Sequence, residues 1–138
     1  MTITATAEHR SPAILVGEKE HRRLTIAALT DVTSHAEEVD FLLYELDRAQ
    51  VVDDRTLPSD IVRLNSIVRF RGESGEERTV KLVLPDDTFL DERFRLSVTS
   101  RHGAALLGLL PSQALSWLEP DGSKGRVEVI SVANALAR

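Results

Sequence analysis

Apolar residues follow two different rhythms along this chain. Val39, Leu42, Leu43, Leu46 and Ala49 recur at three- and four-residue steps, which puts them on one helix face. Ser34 precedes them and Glu37 follows it by three, so hydroxyl and carboxylate can satisfy two orphan N–H groups at a helix start. Glu37, Glu38 and Asp40 also suit the positive end of the helix dipole. Leu24, Ala27, Ala28 and Leu29 give a weaker stripe and predict an earlier helix. Thr30-Asp31-Val32-Thr33 separates the two, and so short a link predicts an antiparallel hairpin over residues 17–50. Its shorter arm would measure about 18 Å at 1.5 Å per residue.

Residues 51–61 contain Asp53-Asp54 and Pro58, show no period and read as a linker. After them the step becomes two. Val62, Leu64, Ser66, Val68 and Phe70 alternate with Arg63, Asn65, Ile67 and Arg69. The same alternation runs through Val80, Leu82 and Leu84, then through Phe94, Leu96 and Val98. Leu115 and Trp117 open a further strand, Pro120-Asp121-Gly122 makes a tight turn, and Arg126 to Val132 returns. The Ala/Leu-rich stretch from Gly103 to Leu107 lies between Ser100, a cap, and Gly108, a stop. Strands joined by short turns predict an antiparallel sheet of about five strands around one short helix, hence an α+β protein. The expected organisation is a flexible terminus over 1–16, the hairpin over 17–50, the linker over 51–61 and a sheet domain over 62–132.

Composition narrows the function classes. The 17 Lys+Arg against 22 Asp+Glu give a net charge of −5, which argues against a grip on nucleic acid phosphates, and no direct sequence-specific nucleic acid binding is expected. Cysteine is absent, which removes disulfides and thiolate chemistry and fits a reducing cytoplasm. The longest apolar run, Ala104 to Leu110, falls far short of the ~18 residues that span a bilayer, so no membrane role is expected. His9, His21, His35 and His102 are scattered without ligand spacing, so no metal site is expected. Ser97 and Ser100 lie near His102 but in no nucleophile elbow, and a helix cap explains Ser100. Gly72, Gly75, Gly103 and Gly108 make no phosphate-binding pattern. The reading is a protein without cofactor or catalytic centre.

The stretch Leu96-Ser97-Val98-Thr99-Ser100-Arg101-His102-Gly103-Ala104-Ala105-Leu106-Leu107-Gly108 resembles the C-terminal domain of the Gre transcript-cleavage factors (GreA/GreB). So do Leu64 to Phe70, Leu115 to Glu119, Pro120-Asp121-Gly122 and Val127 to Val132. Tyr44 to Ala49 before the linker and Leu64-Asn65-Ser66 after it are similar to the Rnk-type branch, the regulators of nucleoside diphosphate kinase. The resemblance implies an FKBP-like sheet domain, a shorter coiled-coil hairpin and an RNA polymerase partner, bound at the rim of its secondary channel. In Gre factors, two carboxylates at the hairpin tip help hold the polymerase's second magnesium, as a hard cation requires. Asp31 is the acidic residue of the turn here, with Glu37 and Glu38 about a turn further on. A short-spaced tip pair is absent and Gre arms are about twice as long. Docking in competition with Gre factors, without strong cleavage stimulation, is therefore expected. Ser100, Arg101 and His102 occupy the loop that the family turns toward the polymerase rim; Arg101 stands where many relatives carry Pro. A cleavage factor acting through the tip carboxylates is one alternative. An interaction module affecting nucleoside diphosphate kinase without polymerase is the other. The sheet also suggests a peptidyl-prolyl isomerase, but Phe70, Phe89, Phe94 and Trp117 are few for a ring-walled pocket.

Overall fold

The computed structural model describes residues 11–31, 36–85 and 94–135, and for 31 and 36–38 the backbone alone. Helices α1 (Glu18–Asp31) and α2 (Ala36–Arg48) form where the 3.6-residue period predicts them. Leu24 and Ala28 on α1, and Val39, Leu42 and Leu46 on α2, are buried in a single core shared with the sheet. Leu43 packs against that core and is half-buried. Near the start of α1, His21 Nε2 lies 2.9 Å from the Leu46 carbonyl near the end of α2. A carbonyl only accepts, so Nε2 carries the proton. The Ser34–Glu37 capping box lies outside the described residues.

Strands β1 (Leu15–Gly17) and β2 (Gln50–Val52) flank the helices and pair in parallel, Leu15 with Gln50 and Val16 with Val51. The sequence places Leu15 and Val16 in a flexible terminus and Val51-Val52 in a linker; the structure makes them a ladder. A parallel pair needs a long crossover, and the two helices supply it. Ile14 and Val16 are buried on the core side. Three-residue strands are too short to show a period, which is why the pattern missed them.

The main sheet contains β3 (Ile67–Gly72), β4 (Glu77–Val83), β5 (Arg95–Ser97), β6 (Ala114–Leu118) and β7 (Lys124–Ala133), in the order β5-β4-β3-β7-β6. The expectation of a wholly antiparallel sheet is corrected at one edge. Strand β5 pairs with β4 in parallel, Lys81 with Arg95 and Val83 with Ser97. The reason is the long connection over residues 84–94, where the other neighbours are joined by tight turns or returned by the chain's path. Strand β3 also begins later than the alternation from Val62 suggests. Asn65 takes φ 70, the Ser66 amide bonds the Arg63 carbonyl at 3.0 Å, and the Arg63 amide bonds Ser66 Oγ at 2.8 Å. The chain bends there before the ladder starts.

Val68, Phe70, Val80, Leu82, Val127 and Val129 point inward and are buried. The short helix α3 (Arg101–Leu106) covers them with Ala104, Ala105 and Leu106, all fully buried. Asn134 fastens the end of β7: its Nδ2 donates to the Ser59 carbonyl at 2.9 Å and the Ile61 carbonyl at 2.8 Å. Its Oδ1 accepts from the Ser66 hydroxyl.

Candidate docking face at the short helix

Ser100 caps α3. Its Oγ accepts from the Gly103 amide at 3.1 Å and donates to the Ser97 carbonyl at 2.6 Å. Gly103 is fixed by space, because a Cβ there would stand 2.0 Å from the Ser97 carbonyl oxygen. Gly108, with φ 78, ends the segment as the sequence predicts.

The next two residues turn their polar groups to partners just past the ends of β3 and β6. Arg101 Nη1 lies 3.1 Å from Glu119 Oε1, and the same oxygen accepts from Trp117 Nε1 at 2.7 Å. His102 Nε2 lies 2.9 Å from Glu73 Oε1 and meets the Trp117 ring edge-on, centroids 5.0 Å apart. Glu73 also accepts from the Arg126 amide at 3.2 Å. Partial burial pushes the Glu73 carboxyl up, but the bonds from His102 and the Arg126 amide prevail and hold it below 4.5. Trp117 also meets Phe41 of α2, centroids 5.5 Å apart. Trp117 thus joins α2 to the first turn of α3.

Ser100, Arg101 and His102 form the cap and first turn of α3. Their anchors Glu73, Glu119, Trp117 and Phe41 were not foreseen in that role, because the pairs lie far apart along the chain. Phe70 is buried and Trp117 and Phe94 are half-buried, while Phe89 lies outside the described residues.

The tip candidates stand elsewhere. Asp31 is the last residue of α1, and Glu37 and Glu38 lie in the first turn of α2. The positions of these three carboxylates lie outside the described side chains. Among the described residues, no group of three or more His, Asp or Glu side chains could hold a metal ion. Among the described residues, no helix is long and apolar enough to cross a membrane.

A further polar cluster at the base of the helices was not foreseen. Glu20 is buried, accepts from the Leu64 amide at 2.9 Å and lies 3.5 Å from Arg63 Nε. Burial pushes its carboxyl above 4.5, against the Leu64 amide and the Arg63 guanidinium, which pull it down. Asp54, 3.7 Å from Arg63, takes the Lys19 amide at 2.9 Å.

The comparisons agree with this architecture. The family described as transcription elongation factor GreA/GreB, C-terminal, matches residues 57–134. The regulator of nucleoside diphosphate kinase of Escherichia coli K12 is 32% identical over 121 residues, covering 88% of this chain and 89% of that protein. The Shigella flexneri protein of the same name gives the same figures. The solved structure described as the prokaryotic transcription elongation factor GreA/GreB from Nitrosomonas europaea is 35% identical. It aligns with a TM-score of 0.67 over 88% of this chain and 99% of its own. This chain therefore belongs to the GreA/GreB transcription elongation factor family, and within it is similar to the regulators of nucleoside diphosphate kinase.

Proposed function

We propose that this protein is a transcription regulator that binds RNA polymerase at its secondary channel and competes there with Gre factors, without efficiently stimulating RNA cleavage. It acts in the cytoplasm and has no catalytic centre of its own. The observation that carries the reading is the family match over residues 57–134, which contains the Ser100–His102 turn with Glu73, Trp117 and Glu119. In this reading the FKBP-like unit over 62–132 docks on the channel rim through Ser100, Arg101 and His102. The antiparallel hairpin over 17–50 is the probe, and residues 51–61 are the joint between them.

The absence of cleavage stimulation is argued from reach and charge. Helices of 14 and 13 residues are only about 21 and 20 Å long, roughly half the Gre arms that the resemblance implies. Asp31 closes the first helix, while Glu37 and Glu38 belong to the second. One tip carboxylate set too shallow leaves the polymerase's second magnesium weakly held. The test uses a backtracked elongation complex. Little or no release of short 3′ RNA fragments is expected. Release that disappears in Asp31→Ala would establish the alternative, a cleavage factor acting through its tip.

The name shared by the curated relatives supports a second reading, regulation of nucleoside diphosphate kinase by direct contact. Pull-downs against purified polymerase and purified kinase separate the two, and capture of polymerase is the expected result.

A further inference from the structure

The solvent face of the main sheet carries a charge opposite to that of the whole molecule. Inward positions on β3, β4 and β7 are Val68, Phe70, Val80, Leu82, Val127 and Val129, so the alternate residues take the outer side, where Val83 at the end of β4 is nevertheless buried. The register places Arg95, Lys81 and Ile67 in one outer row and Arg69 beside Thr79 in the next. Arg71 then stands between Glu77 and Glu128, with Arg126 beside Ser116 and Lys124 beside Leu118 beyond. Six cations thus share this face with two carboxylates, on a chain of net charge −5. Glu77 is held by Arg69 at 2.6 Å and Arg71 at 2.9 Å. Glu128 is held by Arg126 at 3.2 Å and Arg71 at 3.6 Å. Two carboxylates already satisfy three guanidinium groups. Lys81, Arg95 and Lys124 take part in none of these pairs.

We infer that this face is a docking surface for an acidic protein segment, separate from the turn at Ser100–His102. Charge complementarity selects the sign of the partner, and the composition of the face selects its class. Single-stranded nucleic acid on a sheet relies on stacking against aromatic rings, and the outer rows contain no aromatic residue. Glu77 and Glu128 occupy the three central guanidinium groups, and a flexible acidic peptide can space its carboxylates around them onto Lys81, Arg95 and Lys124. Leu118, 70% exposed, and Ile67, 40% exposed, give such a segment apolar contacts at opposite ends of the face. This inference does not depend on polymerase binding.

The test measures binding of a fluorescent oligoglutamate peptide and an oligouridylate of equal charge to the intact protein at low ionic strength. The expected result is peptide binding that outcompetes the oligouridylate and fades as salt rises. The triple reversal Lys81→Glu, Arg95→Glu, Lys124→Glu should slow association roughly tenfold or more, the scale of electrostatic steering. The milder set Lys81→Gln, Arg95→Gln, Lys124→Gln should give a smaller loss in the same direction, and guards against misfolding of the reversal. Reversal of Arg22 and Arg23 on α1 should leave binding unchanged. Tighter binding of oligouridylate, equal losses in the α1 control, self-association in place of peptide binding, or no peptide binding would each overturn the inference.

Discussion

Glu20 and Glu45 are carboxylates placed where water is scarce, and each depends on an arginine. Glu45 is 1% exposed and bonds Arg48 at 2.6 Å, while Arg48 also donates to the Pro12 carbonyl at 2.6 Å. Removing the cation strands a buried charge, so Arg48→Ala should cost about 3–5 kcal/mol in a denaturant melt at neutral pH. A change near zero would show that Glu45 is solvated. Glu20 has its folded pKa raised above 4.5 by burial. The stability linked to its proton is full below 4.5 and is lost as pH rises through the folded value. Glu20→Gln keeps an acceptor for the Leu64 amide but has no such loss. The variant should therefore gain on the parent as pH rises above 4.5, and parallel pH–stability curves would contradict this. Ser100→Ala removes a cap and should cost about 1 kcal/mol. Ser100 was legible in the sequence because capping is local. Glu20 was not, since its partner amide is 44 residues away. A Glu in a first helical turn reads as solvated.

The helices and long strands were legible because each repeats its period several times. Strand β4 was read as alternating about Val80 and Leu82, and those residues are indeed buried. Strands β1 and β2, and the parallel pairing of β5, escaped because three residues establish neither period nor direction. The α2 stripe makes a quantitative claim. Leu46 is 2% exposed within the core, so Leu46→Ala should lower stability by roughly 2–5 kcal/mol. A melt unchanged from the parent would show that α2 buries another face. The link between elements is also measurable. A double-mutant cycle on Phe41 and Trp117 should give a coupling of about 0.5–1.5 kcal/mol, the range for a ring pair beyond simple burial. Zero coupling would remove Trp117 as the bridge from α2 to α3.

Across the described residues, most buried side chains form one continuous cluster from Ile14 and Val16 through the helices to Val129. The root of the helical pair is thus seated on the sheet unit. The acidic balance of the chain and the cationic outer sheet face leave separate surfaces for separate contacts. The sequence carried the family through the Ala-Leu turn at 96–108, a local motif; it could not show the anchors that position that turn, because they form only on folding. The central claim is occupancy of the Gre site on RNA polymerase. It is tested most directly by titrating this protein into polymerase bound to a fluorescent Gre factor. The account predicts full displacement, following competition for a single site. A Gre factor that stays bound at saturation, or a complex holding both proteins at once, would contradict it.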